Sequence, residues 1–351
     1  MRHKSGSSLA LVASKPEFEK DAAKLASNLA QQGFDIRDSR NRGSTLLHVG
    51  DKVDFASGYI AAGHHLTLME QAMRCIPFRF EDLELLVEGE SKEVRLLTEY
   101  VVVERLKPTV YSFTHNRYGH VDGTDLARVR FSAEIFRRME ALPKISSVVP
   151  RSAFLGLIDT ERGPALVQRR VDDSNLEIRV KRYHIGSPLH RYLYTERHPS
   201  WQSCGPLERW SRFDEPIVCY DWRHPLKDDE GRALADEPVS DDYAAVWVKD
   251  VLHAKEMARA TFLWLESMMD KAGLVLVDIC VFIDRSGKTI FGEISPDCMR
   301  IRSKGGSLDA ATSFDKDVWR GGAPGRTVAE RYWAIFELLF GDRERLISTG
   351  S

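Results

Sequence analysis

The chain has 351 residues, 43% hydrophobic and 29% charged, the composition of a soluble globular protein with room for one large or two to three modest domains. Its 50 basic and 52 acidic residues give a formal net charge of −2, which leaves no basic excess for a polyanion and argues against a nucleic-acid partner. No apolar run approaches membrane-spanning length, so no membrane partner is expected, and phosphate recognition should fall to a few cations at one site.

The five cysteines, at 75, 204, 219, 280 and 298, are odd in number and show no zinc-type spacing. Free thiols in a reducing, cytoplasmic setting are the expectation. Basic residues at the start precede a short apolar run, but Leu9–Ala13 soon meets Lys15 and Glu17 and is too short for an export core.

In chain order, residues 8–13 predict a buried strand and Glu17 to Gln32 an amphipathic helix, with Phe18, Ala22, Leu25 and Leu29 on one face and Gly33 as its stop. Phe34 to Ile36 resumes as a strand. No glycine-rich phosphate fingerprint joins these elements, so residues 1–80 form an added α/β region without an assigned role. His64 and His65 have no carboxylate motif beside them that would make a metal site.

From Leu83 the pattern turns to antiparallel strands, over 83–95, 99–104 and 109–113, with turns at Gly89 and at Lys107-Pro108. The first turn reads Gly89-Glu90-Ser91-Lys92. A polar loop with His120 leads to a helix from Leu126 to Ala141. Ala165 to Val171 and Leu176 to Ser187 are expected to pair across the Asp172 to Asn175 turn, and the second of them ends in Lys181-Arg182-Tyr183-His184-Ile185-Gly186-Ser187. Residues 188–243 read as irregular and aromatic-rich, with Lys227 in a charged loop. A helix over Val246 to Ala272 stops at Gly273.

Leu274 to Asp284 then reads as a buried strand, with Thr289 to Ile294 as its hairpin partner. Gly287-Lys288-Thr289 lacks the upstream glycine of a Walker loop. Gly292-Glu293-Ile294-Ser295-Pro296-Asp297-Cys298-Met299-Arg300 follows, and after Gly305-Gly306 come Asp315-Lys316-Asp317 and Arg320. The proline forces Ser295 out of helical geometry, so charged side chains fan from a rigid corner at a strand end.

Glu-Ile-Ser-Pro-Asp-x-x-Arg followed by Asp-Lys-Asp-x-x-Arg resembles the paired signature of SAICAR synthetases, which join aspartate to a carboxyaminoimidazole ribonucleotide using ATP. The glycine-lysine turn at 89–92, the Glu177 to Ser187 strand and the lysine loop around Lys227 resemble further hallmarks in the same order, so the likeness covers about residues 83–325. It implies an α+β fold, with an antiparallel-sheet N-terminal lobe, an α/β C-terminal lobe and the active site in the cleft, preceded by the extra region. Domains are then expected at 1–80, 81–187 and 188–351. The resemblance also implies a pocket for a ribonucleotide 5′-phosphate, with Lys181, Arg182, Ser187, Arg300, Lys316 and Arg320 as phosphate and ribose ligands. Glu177, Lys227, Asp278, Glu293 and Asp297 are its catalytic candidates.

Departures from the family pattern cluster on the ATP and Mg²⁺ side. Lys92 remains from the ATP loop, but Glu90 replaces its first lysine, Cys280 and Phe282 replace a lysine and a glutamate, and Gly292 replaces a metal-side aspartate. A carboxylate ~4 Å from a phosphate would repel it by roughly a few kcal/mol. Phosphoryl transfer needs cations and metal at the developing charge.

The expectation is an ATP-independent acid/base cyclisation or ring rearrangement of a phosphoribosylated purine- or histidine-pathway intermediate, with no required cofactor and no metal site. Homologues in nucleoside-antibiotic pathways of the pentostatin and coformycin type agree with such chemistry. The alternatives are an ATP- and Mg²⁺-dependent SAICAR synthetase and a non-catalytic ribonucleotide-binding protein. A homo-oligomer is compatible with each.

Overall fold

The computed structural model describes residues 8–39, 43–112, 117–142, 148, 150–186, 208–222, 229–230 and 238–341. Two compact units emerge. One takes the chain up to Lys107 and returns for Ala153–Val171; the other is built from Pro108–Ser152 and Asp172–Gly341.

The first unit opens with β1 (Leu9–Ala13), α1 (Glu19–Gln31), β2 (Thr45–Gly50), β3 (Tyr59–Ala61) and α2 (Leu68–Cys75). β1, β2 and β3 form a parallel sheet in that order, and the expected strand at Phe34 to Ile36 is reduced to one parallel bridge between Ile36 and Leu9. Helix α1 buries Ala22, Leu25 and Leu29, as its periodicity predicts.

Then come β4 (Glu84–Glu88), β5 (Lys92–Thr98) and β6 (Val101–Leu106), joined later by β9 (Phe154–Thr160) and β10 (Gly163–Arg169) in an antiparallel sheet ordered β4-β5-β6-β10-β9. One apolar core joins Leu25, Leu47 and Met73 to Leu97, Val103, Ile158 and Val167. The residues before 80 therefore share a core with the sheet, and the packing does not break at the boundary expected there.

The second unit starts with the two-stranded ribbon β7 (Thr109–Ser112) and β8 (Arg117–His120), followed by helix α3 (Thr124–Glu140). Its main sheet contains β11 (Asp173–Tyr183), β12 (Arg212–Trp222), β13 (Pro238–Val239), β14 (Leu274–Asp284), β15 (Ile290–Phe291) and β16 (Met299–Ser303). The order is β13-β12-β11-β14-β15, with β16 also on β14. The helices are α4 (Asp241–Ala244), α5 (Val251–Lys271), α6 (Asp317–Arg320) and α7 (Gly325–Phe340).

Two expectations are corrected here. β10 pairs with β6 and β9, whereas β11 pairs with β12 and β14, so the hairpin across Asp172 to Asn175 does not form. Alternation marks strands but does not choose their partners. The second correction is β12, an eleven-residue strand within the stretch read as irregular. Its Pro216 falls where the register against β11 shifts, a place where a missing N–H costs the ladder nothing.

The expected helix from Val246 starts later, at Val251, because the Asp250 side chain accepts the His253 N–H at 3.1 Å and caps it. No described helix is long and apolar enough to cross a membrane.

Period-2 alternation gives the main sheet two faces. Ile178, Val180, Val218, Tyr220, Val277, Ile279 and Val281 are buried, and α5 packs on the sheet with Met257, Phe262 and Leu265. Burying each such side chain contributes roughly 1.5–3 kcal/mol. The other face carries Glu177, Arg179 and Lys181 of β11, in register with Asp221, Cys219 and Ile217 of β12 and with Phe282, Cys280 and Asp278 of β14. That polar row positions the site.

Candidate functional site

At one end of the row Asp278 receives two cations. Lys181 Nζ lies 2.7 Å from Asp278 Oδ2, and Arg300 Nη1, arriving on β16 in register with Asp278, binds the same oxygen. Arg300 Nε also donates to Asp317 at 2.9 Å. Asp317 is shared further, with Arg302 and Arg320 each at 2.5 Å. Asp315, fully buried, accepts the Ile301 N–H at 2.6 Å and pairs with Arg302 at 2.7 Å.

The result is a chain of four cations and three carboxylates from β11, β14, β16, α6 and the residue Asp315 just before α6. Gly186 sits above it with φ +78°, a left-handed conformation that favours glycine. A Cβ there would lie 3.2 Å from Arg300 Nη1 and 3.5 Å from Lys181 Nζ. Lys181 Nζ reaches back to the Ile185 carbonyl at 3.1 Å, fixing the loop against the cations. This is a rigid, cation-floored cradle of the kind that suits a phosphate.

Charge states follow from these contacts. Burial pushes the Asp278 carboxyl up, but Arg300 and Lys181 outweigh it and hold the group below the usual carboxylate range. Asp317 is likewise held low against burial by Arg300 and Arg320. Asp315 goes the other way, to about 6, because burial and the Asp317 charge oppose its ionisation.

A depressed folded pKa means that the Asp278 ion pairs stabilise the fold above the ordinary carboxylate pKa and are lost as pH falls through the folded value. Asp278→Asn should therefore flatten the rise in stability between strong acid and about pH 4. Urea unfolding across that window checks it, and an unchanged slope would show that Asp278 is not paired.

The corner predicted around Ser295 forms as expected, with extended backbone at φ −143° before Pro296. Both of its carboxylates are engaged by neighbouring side chains. Glu293 lies in a two-pronged ion pair with the fully buried Arg128 of α3, at 2.9 Å and 2.5 Å, and accepts the Ser295 hydroxyl at 2.7 Å. Asp297 accepts from the Tyr332 hydroxyl at 2.9 Å and pairs with Lys316 at 3.3 Å. Lys316 thus serves Asp297 in the structure, while Arg300 and Arg320 meet at Asp317.

Arg182 is not brought to the cradle. One residue beyond Lys181, it points to the opposite face and pairs with Glu266 of α5 at 2.7 Å and 2.5 Å. The sequence run of basic residues conceals this; strict alternation separates them. Lys92 is in the first unit, in a buried ion pair with Glu104 of β6 at 3.0 Å. Ser187 and Lys227 lie outside the described residues.

At the other end of the row Glu177 pairs with Arg179 at 2.8 Å, and Arg179 also faces Asp221 at 3.4 Å. Arg179 and Arg302 are the residues that sequence reading passed over. Their shared parity with Lys181 and Arg300 was the available signal. Cys280, beside Arg179, has its thiol pushed up to about 12 by burial and by Glu177.

The Mg²⁺ ion that the resemblance implies does not fit these residues. Among the described residues no group of three or more His, Cys, Asp or Glu side chains is placed to hold a metal. Positions 282 and 292 are Phe and Gly, and the nearby carboxylates Glu177 and Asp221 face a guanidinium.

Antiparallel sheets with flanking helices, one sheet face carrying a network of paired cations and carboxylates, define a protein of the α+β class. The sequence matches the SAICAR synthetase family over residues 87–332, and the chain belongs to that family. Solved structures agree in fold. A Saccharomyces cerevisiae SAICAR synthase complexed with SAICAR matches at TM-score 0.57 and 15% identity, covering 76% of this chain and 98% of that one. A SAICAR synthetase (Type-2) in complex with ADP matches at TM-score 0.56 and 22% identity, over 74% and 98%. Among curated proteins, the bifunctional cordycepin biosynthesis cluster protein 3 of Cordyceps militaris is 27% identical over 281 residues, 68% of this chain. The chain spans about 31% of that relative's length.

Proposed function

We propose that this chain is an enzyme of nucleoside-antibiotic biosynthesis that binds a phosphoribosylated imidazole- or purine-type intermediate at the Lys181–Arg300 cradle and remodels its ring by proton transfer, without ATP. The observation that carries the reading is the convergence of Lys181 Nζ and Arg300 on Asp278 beneath the left-handed Gly186. That arrangement offers fixed donors to a phosphate dianion. The likeness to a cordycepin cluster protein supports the pathway context, and coformycin- or pentostatin-type ring chemistry fits it.

On the ATP side, Lys92 is engaged by Glu104, and Phe282 packs beside Phe291 where a charged ligand would be needed. Glu293 and Asp297 are held by Arg128, Lys316 and Tyr332 and build the corner. Proton transfer then falls to Glu177, paired with Arg179, with Lys227 as a further candidate and Asp278 as the fixed counter-ion of the cradle. Metal-free acid/base chemistry needs no more than these groups.

A second reading, ATP-dependent ligation of aspartate, is favoured by family membership and by the ADP complex of a structural relative. Incubating the protein with carboxyaminoimidazole and histidine-pathway ribonucleotides, with and without ATP and aspartate, separates the two by mass spectrometry. A ring-altered product without ATP is expected. Product formed only with ATP, Mg²⁺ and aspartate would establish the ligase, and tight binding with no product a non-catalytic binder.

A further inference from the structure

Just before β12 the Ser211 N–H donates to the Glu208 carbonyl at 3.0 Å and closes a tight turn. The third residue of that turn is Trp210, with φ +69°. Glycine or asparagine is the usual occupant of such a position, and a bulky side chain there is strained. Strain of this kind persists where the surroundings over-determine it, and it clusters at functional sites.

The surroundings of Trp210 do so. Its backbone N–H donates to the carbonyl of His184, two residues before Gly186, at 2.9 Å. Its indole Nε1–H donates to Asp309 Oδ1 at 3.0 Å. The guanidinium of Arg302, which pairs with Asp315 and Asp317, lies over the ring at 5.6 Å from its centroid. Asp309 belongs to the loop between Ser303, the last residue of β16, and Asp315. Gly305 and Gly306 in this loop have φ +106° and +73°, with nothing within 4 Å of a Cβ at either, and give it two pliable joints. Asp309, also paired with Arg209 at 3.0 Å, ties the outer part of the loop to the turn at Trp210.

We propose that Trp210 is a positioning residue of the candidate site: it fastens the Asp309 loop to the end of β11, so that the Lys181–Gly186 side and the Arg300–Arg302 side of the cradle are held at one spacing before an anion arrives. Glycine would relax the turn and reach nothing, so the strain is offset by what the ring and its N–H reach. Groups fixed in advance lose less freedom on binding, and affinity gains by that difference. The effect on affinity rests on the phosphate reading of the cradle given above.

The test compares Trp210→Gly, Asp309→Ala and Asp309→Asn with wild type. Amide exchange over residues 304–312 reads the loop, and calorimetry with carboxyaminoimidazole ribonucleotide reads affinity. Trp210→Gly should fold, because glycine accepts the left-handed turn, with faster exchange in the loop and affinity lowered about tenfold. Asp309→Ala should do the same, and the double variant should be no weaker than either single one, because both remove one contact. Asp309→Asn keeps an acceptor for the indole and should stay near wild type. The Asp309 side chain is 61% exposed, so its variants carry the test if Trp210→Gly does not fold.

Three results overturn the proposal and leave the phosphate reading intact: loop exchange at the wild-type rate in the folded variants, faster exchange with affinity per folded molecule unchanged, or Asp309→Asn falling as far as Asp309→Ala. A wild type that binds no ribonucleotide would overturn the phosphate reading, and the proposal with it.

Discussion

Arg128→Ala is expected to destabilise the second unit by about 3–5 kcal/mol, the largest stability effect of any single substitution considered for this chain. Arg128 is fully buried on α3, and its guanidinium is bound at two points by Glu293, with a further donation to the Thr109 carbonyl at 3.3 Å. Truncation removes the cation that faces the buried Glu293 carboxyl. The hydrogen bond from the Ser295 hydroxyl does not replace that charge.

The distinguishing measurement is a double-substitution cycle by urea unfolding. Arg128→Met with Glu293→Met should cost much less than the two single changes combined, because an apolar pair removes both charges together. Additive losses would mean that the two side chains do not act as a pair. The Ser295 corner depends on this pair, so ligand binding should fall with stability in the single variants.

The second expected effect is on binding. On the proposed reading, Arg300→Ala weakens affinity for carboxyaminoimidazole ribonucleotide by about 10- to 150-fold, the roughly 1.5–3 kcal/mol of a charge-assisted hydrogen bond. Arg300 and Lys181 share Asp278, so removing Arg300 also turns the cradle floor from net cationic to neutral. Arg320→Ala should act in the same direction and less strongly, because Arg320 reaches the cluster through Asp317.

Arg182→Ala is the control. Its guanidinium lies across the sheet against Glu266 and the Asp214 carbonyl, so it should lose stability and leave affinity per folded molecule unchanged. Calorimetry on folded fractions reads the difference. Unchanged binding in both Arg300→Ala and Arg320→Ala would refute the phosphate assignment.

Much of this chain is legible without coordinates. The periodicity of α1, the strand patterns around 84–106 and 274–284, and the Ser-Pro corner were all readable, because each depends on spacing within a few residues. Motif order placed the chain in its family for the same reason. Alternation sets Lys181 and its neighbour Arg182 on opposite faces of β11, but local signals could not say which face meets Asp278, and they assigned β10 and β11 to one hairpin when each belongs to a different sheet.

The candidate site shows the same division. Asp278, Lys181 and Arg300 could each be named from sequence, but their convergence on one carboxylate oxygen depends on β11, β14 and β16 lying side by side. Sequence also supplied Glu293 as a proton-transfer candidate. Only the packing of α3 revealed that Arg128, 165 residues earlier, engages it fully.

By itself, then, the sequence determined the family, the charge-bearing strands and the corner that carries Asp297 to Arg300. The tertiary structure decided which of those charges meet. It turned Arg182 away, committed Glu293 and Asp297 to the scaffold, and set Arg179 between two carboxylates. The physical reason is range. Propensity, turns and alternation act over a few residues, whereas ion pairing in a low-dielectric interior depends on which strands become neighbours, and long-range packing alone fixes that.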